Sequence, residues 1–181
     1  MMKLYQHGDL AGIPKAGILP WLGQKVFYPH TELFHWVLIC DYIVDEKDYV
    51  ILEATPGGFK VGRLSWYSHY RVFRPVNHGF LGRLACQKLT AYGRSKYDYR
   101  FIASLPFVVL FCWMKQLFTT GRCRAIRAHE LPYVADERLC CTEAVVLAWQ
   151  RVGVWLVPSK TKPIPAAIME AIEKGVLEEI K

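Results

Sequence analysis

Three observations predict an α+β fold. The first half of the chain carries short runs rich in β-branched and aromatic residues, and the second half carries apolar residues at helical spacing. The strand-like runs follow one another across short polar turns, as an antiparallel meander does, with helices packed against the sheet. The 181 residues are 52% hydrophobic and 14% aromatic, which excludes a disordered chain and allows one domain, residues 1–181, with a sizeable core.

The N-terminal stretch holds Gly8, Gly12, Pro14, Gly17, Pro20 and Gly23, and so reads as loop or short strand. Leu33–Asp41 is apolar on both parities, as a central strand buried on both faces requires. Asp45–Asp48 supplies a polar turn, and Tyr49–Thr55 is a second strand closed by Pro56-Gly57-Gly58. Phe59–Leu64 and Tyr70–Val76 complete a meander of four or so strands. Gly79–Tyr92 carries Phe80, Leu81, Leu84, Ala85 and Leu89 near helical spacing, and Gly93 is a suitable stop. Further helices are expected over 101–118, over Cys141–Val152 and over Pro165–Ile180, the last with the stripe Ile168, Ile172, Val176 and Ile180. Phe101–Met114 is apolar apart from Ser104 and ends after 14 residues between Arg100 and Lys115, short of the roughly 20 that a spanning helix needs. A buried core helix is the reading its length favours, and membrane-surface contact is the alternative.

The formal net charge of +7 is uneven. Residues 61–138 carry 13 basic and 4 acidic side chains, whereas 1–60 carry 5 and 7, and 139–181 carry 5 and 5. Such a segment suits an anionic surface, an anionic substrate or nucleic acid, or is simply a solvated basic face. The six cysteines include no CxxC pair, and Cys140 and Cys141 are adjacent, an arrangement that rarely meets disulfide geometry. With no secretory leader over Met1–Asp9, the thiols are expected to be reduced and the protein cytoplasmic.

Two strand residues stand out. His35 lies between Phe34 and Trp36, and Glu53 between Leu52 and Ala54, each a polar group inside an apolar run. If the two strands form a hairpin, the residue numbers sum to the even value 88, which centres the turn at Val44 and puts both side chains on one face. The alternative is a core histidine bonded to backbone, with Glu53 at a solvent edge. Cys141 opens the run Cys141-Thr142-Glu143-Ala144-Val145 behind the polar Asp136-Glu137-Arg138. A cysteine at a helix N-terminus feels the positive end of the dipole, which favours the thiolate. Together the three residue types make a nucleophile, a base and an orienting carboxylate. No pair of Cys or His has zinc-ligand spacing, and no metal or organic cofactor is needed.

Gly8-Asp9-Leu10, His35-Trp36-Val37-Leu38-Ile39, Ile51-Leu52-Glu53-Ala54 and Cys141-Thr142-Glu143-Ala144 resemble, in order, the blocks of the circularly permuted NlpC-type cysteine hydrolases. This papain-like group includes YiiX-like bacterial proteins and, more distantly, lecithin:retinol acyltransferase. Tyr97-Asp98-Tyr99 also falls where the group often has a YD pair. The resemblance implies a papain-like fold with Cys141, rather than Cys140, as nucleophile, His35 as general base and Glu53 as the residue that orients it. The long Gly12–Thr31 connection would be a lid or substrate wall, and Trp36 stands where a small residue is common.

The implied chemistry is acyl transfer through a Cys141 thioester, with the Cys141 backbone N–H as oxyanion donor. The implied substrate is an amide in a peptide or a peptidoglycan-derived stem, or alternatively a lipid amide or ester. Two other readings compete with the hydrolase. One is a nucleic-acid module using the basic segment and its Tyr67, Tyr70, Phe73 and Tyr92. The other is a non-catalytic binding module on the same fold. No nucleic-acid partner is expected under the hydrolase reading.

Overall fold

The computed structural model describes residues 5–14, 25–29, 32–55, 57–91, 98–132 and 140–180. Among these residues there are eight strands: β1 (Leu10–Pro14), β2 (Phe27–Tyr28), β3 (Leu33–Ile43), β4 (Asp48–Thr55), β5 (Gly58–Arg63), β6 (Arg71–Pro75), β7 (Ile126–Arg127) and β8 (Leu177–Glu179). Six form one sheet in the order β5-β4-β3-β1-β6-β8, every neighbouring pair antiparallel. The short β2 and β7 pair in parallel beside it. Among the described residues the longer helices are α1 (Gly82–Thr90), α2 (Tyr99–Thr120), α3 (Cys141–Gln150) and α4 (Pro165–Glu173).

The β3–β4–β5 run is the expected meander, but β6 does not continue it. Strand β1 lies between β3 and β6, so the chain leaves β5 through a 3-10 turn at Leu64–Trp66 and rejoins the sheet two strands beyond β3. Its glycine and proline leave the sequence reading at loop or short strand; it is a short strand, and Leu10 and Ala11 are fully buried at the centre of the sheet. Small residues are what the position needs. A Cβ on Gly12 would sit 2.8 Å from Leu33 and 2.9 Å from the Trp36 ring.

The sheet has two apolar faces. Leu10, Trp36, Leu38, Leu52 and Phe73 pack toward the helices with Val145, Trp149 and Ile168. Ala11, Val37, Ile39, Ile51 and Val72 form a smaller cluster on the other face with Leu64 and Tyr49. Helix α3 is buried along most of its length and packs on α1, β3 and β4. It ends at Gln150, two residues before the expected Val152.

Two close approaches lock the N-terminus onto this frame. Gly8 has φ +86, where side-chain-bearing residues are strained, and its backbone crosses that of Gly82 at the start of α1. A Cβ on Gly82 would fall 1.6 Å from the His7 carbonyl oxygen. The Trp149 indole N–H donates to the Gly8 carbonyl at 3.1 Å, tying α3 to the same point. Asp9, 1% exposed, accepts two parallel bonds from the Arg74 guanidinium at 2.8 Å each. The Gly8-Asp9 pair thus fastens β1, β6, α1 and α3 together.

The C-terminus departs from the expected long helix. Helix α4 stops at Glu173, Gly175 takes φ +71, and Leu177–Glu179 turns back as edge strand β8 against β6. Leu177 returns to the helix-side core, and Ile180 packs on the opposite face. The apparent helical stripe was two elements joined at a glycine. The buried-core reading of 101–118 is also corrected. Helix α2 covers 22 residues, and its Phe107, Phe111 and Phe118 are 75%, 61% and 86% exposed. The expected helix over Gly79–Tyr92 is a 3-10 turn at Gly79–Leu81 running into α1, and Tyr92–Gly93 lie outside the described residues.

Gly82→Ala should lower folding stability by at least about 2 kcal/mol, because helical backbone geometry is already satisfied there and only overlap with His7 is added. Urea unfolding measures this. An unchanged midpoint would mean that the crossing of Gly8 and Gly82 is not tight.

Candidate active site

The local register of β3 decides where its side chains point. Leu38 pairs with Leu52 and Ile39 with Ile51, but Asp41 pairs with Val50, which leaves Cys40 as an extra residue. On the turn side of this bulge the pairing numbers sum to 91, and on the other side to 90. An unbroken register of 91 would put His35 and Glu53 on opposite faces. The bulge restores even parity, so the expected shared face is present although the sum is 90 rather than 88. A second bulge lies at Phe34, since Ile13 pairs with His35 and Pro14 with Leu33.

All three candidate residues meet. His35 Nε2 lies 2.6 Å from Glu53 Oε2, both side chains being almost wholly buried. The Tyr67 hydroxyl donates to the same Glu53 oxygen at 2.6 Å, and Lys60 Nζ stands 3.3 Å from Oε1. With Nε2 committed to Glu53, Nδ1 is the ring nitrogen left for the hydrogen bond with Cys141. Cys141 Sγ also lies 3.8 Å from the Phe34 carbonyl oxygen that the second bulge presents, and 3.9 Å from Thr142 Oγ1.

The electrostatics follow from this geometry. Burial pushes the Cys141 thiol up, but the His35 hydrogen bond and charge, the Trp36 backbone N–H and the Thr142 hydroxyl outweigh it and hold the thiol below its ordinary range. Burial works to lower the imidazole pKa of His35. Its bonds to Cys141 and Glu53, and their charges, overcome this and raise it to about 9. Burial likewise opposes ionisation of Glu53, and the bonds from His35 and Tyr67 with the charges of His35 and Lys60 bring its pKa down. The set therefore favours a thiolate–imidazolium pair backed by a carboxylate.

Adjacent Cys140 is the opposite case. It is the N-cap of α3, its thiol donates to the Pro163 carbonyl at 3.7 Å, and burial followed by the Glu143 and Cys141 charges drives its pKa well up. Glu143 Oε2 accepts from the Cys140 N–H at 3.0 Å, closing a capping box. Lys162 pairs with the other Glu143 oxygen and lies 3.7 Å from Asp98, and all three residues are buried. The first intrahelical bond joins the Ala144 N–H to the Cys140 carbonyl, so the amides of Cys141 and Thr142 precede the helical ladder and are oriented at the helix mouth.

Sequence reasoning did not assign Tyr67, Lys60 or Lys162 to the site. By sequence Tyr67 is one of a set of aromatics suited to stacking, and nothing in its local sequence indicates a carboxylate partner 14 positions away. Trp36 turns to the helix-side face, packs on Phe73 at 5.6 Å between ring centroids, and finds room because Gly12 faces it. Tyr97, the Asp136–Arg138 loop, and residues 15–24 and 30–31 of the expected lid lie outside the described residues.

Tyr67→Phe should cost roughly 1.5–3 kcal/mol of stability at pH 7, the worth of a hydrogen bond to a charged group. The Glu53 pKa is depressed in the fold, so its contribution is present above the unfolded value of about 4.3 and fades as pH falls through the folded value. The gap between Tyr67→Phe and the parent should accordingly shrink in denaturant titrations near pH 3. A gap that stays constant with pH would disprove the Tyr67–Glu53 bond.

The chain matches no protein-family model and no curated protein by sequence. Its structure is similar to the crystal structure of the metalloprotein YiiX from Escherichia coli O157:H7, with a TM-score of 0.59 and 17% sequence identity over 97% of this chain and 96% of that one. Among the described residues no group of three or more His, Cys, Asp and Glu side chains is arranged to hold a metal ion. His35, Glu53 and Cys141 do not fit one, because they stand in series, the imidazole between thiol and carboxylate, and the nearer Glu53 oxygen is shared by His35 and Tyr67. At this identity the likeness speaks to fold: the chain has the α+β, papain-like fold of YiiX, with its six-stranded antiparallel sheet and flanking helices.

Proposed function

We propose that the protein is a cysteine hydrolase of the circularly permuted NlpC type that cleaves amide bonds through a Cys141 thioester. One observation carries this reading: the His35 ring is held between a buried carboxylate and the lowered thiol of Cys141 at the mouth of α3. The Cys141 thiolate adds to the substrate carbonyl, and the resulting oxyanion is met by the Cys141 backbone N–H at the positive end of the helix. The C–N bond breaks as the His35 imidazolium gives its proton to the departing amine, leaving a thioester and a neutral imidazole. His35 then takes a proton from water as the hydroxide adds to the thioester carbon. Loss of the thiolate releases the acid product and restores the ion pair.

Glu53 fixes the ring so that Nδ1 addresses the sulfur, and its charge sustains the imidazolium. Tyr67 and Lys60 in turn keep Glu53 ionised. An amide of a peptide, such as a cell-wall stem, fits the family resemblance. The exposed apolar side of α2 favours a second reading, a lipid amide or ester, in which an acyl acceptor other than water completes the transfer.

Iodoacetamide should alkylate Cys141 in preference to the other described cysteines, at a rate that stays high below the ordinary thiol pKa of about 8.5. His35→Ala should slow this about 30-fold at pH 7, since an unassisted thiol is only a few per cent ionised there. For turnover of a peptide amide, the alkaline limb should fall near pH 9 with His35, and Glu53→Gln should move that limb down. Labelling spread evenly over several cysteines, or unaffected by His35→Ala, would reject the hydrolase in favour of a non-catalytic binding module. Peptide mapping by mass spectrometry reads the labelled site.

A further inference from the structure

Helix α2 is apolar on both sides, and the domain covers only one of them. Cys112 and Gln116 are buried, and Val108, Val109 and Trp113 pack against the core. The opposite side presents Phe107, Leu110, Phe111, Met114, Leu117 and Phe118 at spacings of three and four, all largely exposed. The 18 residues Ala103–Thr120 have a mean hydropathy of 1.2, and only 11% of them are buried. A continuous apolar stripe of this kind on a protein surface marks a contact site.

The way α2 is held decides between crossing a bilayer and lying on one. The Trp113 indole N–H donates to the Arg124 carbonyl at 3.3 Å, and the Arg124 N–H donates to Gln116 Oε1 at 2.9 Å. The Cys112 thiol donates to the Glu130 carbonyl at 3.7 Å. These bonds fix one side of the helix to the polar segment that follows it, so lipid cannot surround it and only the outer side can enter an apolar phase.

Charge identifies the phase. From Tyr99 to His129 the sequence has no acidic residue. Arg100 lies in the first turn of the helix, Arg122 just beyond its end, and Lys115 on its outer side between Phe111 and Phe118, all three exposed. Arg124 is engaged with Glu130, and Arg127 lies over the Tyr28 ring at 5.2 Å. A second copy of the chain on the same face would bring like charges together across a two-fold axis. Anionic headgroups answer them instead, with the Lys115 stem lying along the apolar side chains and its ammonium at the phosphates.

We infer that the outward face of α2 seats the protein on an anionic bilayer surface, lying in the plane of the headgroup–acyl boundary. This goes beyond the hydrolase reading and does not depend on it. The test is co-sedimentation of the full chain with vesicles of equal parts phosphatidylcholine and phosphatidylserine, and with vesicles of phosphatidylcholine alone. The protein should sediment with the mixed vesicles, less at high salt, and much less with the neutral ones. Phe111→Gln with Phe118→Gln should weaken binding at least about tenfold, and Lys115→Glu with Arg122→Glu should remove the preference for anionic vesicles. Circular dichroism and urea unfolding of each variant confirm that the fold is intact, so a loss of binding reads the surface alone. No sedimentation with either vesicle, or binding unchanged in both variants, would overturn the inference. So would a dimer in vesicle-free buffer that the Phe111 and Phe118 substitutions convert to monomer, because a second copy would then be what covers α2.

Discussion

An ionised carboxylate inside a sheet is tolerable only if its surroundings answer the charge, and this constraint at Glu53 organises much of the molecule. Its partners come from four segments: His35 on β3, Lys60 on β5, Tyr67 beyond the 3-10 turn, and, through His35, Cys141 on α3. Oε2 is bonded by His35 and Tyr67, while Oε1 has no hydrogen bond among the described residues and faces the Lys60 ammonium, so the groups that answer the charge come from distant parts of the chain. Gly62 on β5 leaves the space in which they gather, since a Cβ there would lie 3.1 Å from Glu53 Oε1. Sheet pairing and site assembly are therefore one problem, and a fold that misplaced β5 or the Tyr67 segment would leave an uncompensated charge in its core.

The same economy of position separates two neighbouring thiols. Cys140 and Cys141 differ by one step around a helix start, yet one faces Pro163 and the charge of Glu143 while the other faces an imidazole. The buried Lys162 pairs with Glu143, and Glu143 caps the Cys140 amide, so the geometry of the helix mouth rests on an ion pair that does not touch Cys141 or His35. One step at the helix start thus pushes one thiol up and brings the other down.

Strands β3 and β4, the helix at Cys141 and the His35–Glu53–Cys141 set were legible in the sequence because each has a local signature. Those signatures are apolar runs, a polar residue within such a run, and a cysteine ahead of an amphipathic segment. What stayed hidden was set by distant partners. A short strand near Gly12 is one of two readings of the sequence, but its central place between β3 and β6 has no local signature, because it depends on Gly12 letting Trp36 and Leu33 close over it. The break at Gly175 looks like one more position in a helical stripe until the left-handed backbone shows that Leu177 belongs to the sheet. The exposure of α2 is not legible in sequence for a physical reason: apolar composition says that a helix avoids water, and it does not say whether protein or another medium provides the shelter.

The extra residue at Cys40 sets up a division of labour along one strand. It shifts the phase of β3 between its hairpin end and its His35 end, so the turn at Val44–Lys47 and the site each see the strand in the phase they need. Strand pairing alone would transmit any change of turn geometry straight to the orientation of His35. With the bulge acting as a phase-shifting joint, the tight turn and the buried imidazole are compatible only as a pair. A slip of the β3–β4 pairing by one residue on the His35 side of Cys40 would carry His35 to the face opposite Glu53, whereas a slip by two would leave them together.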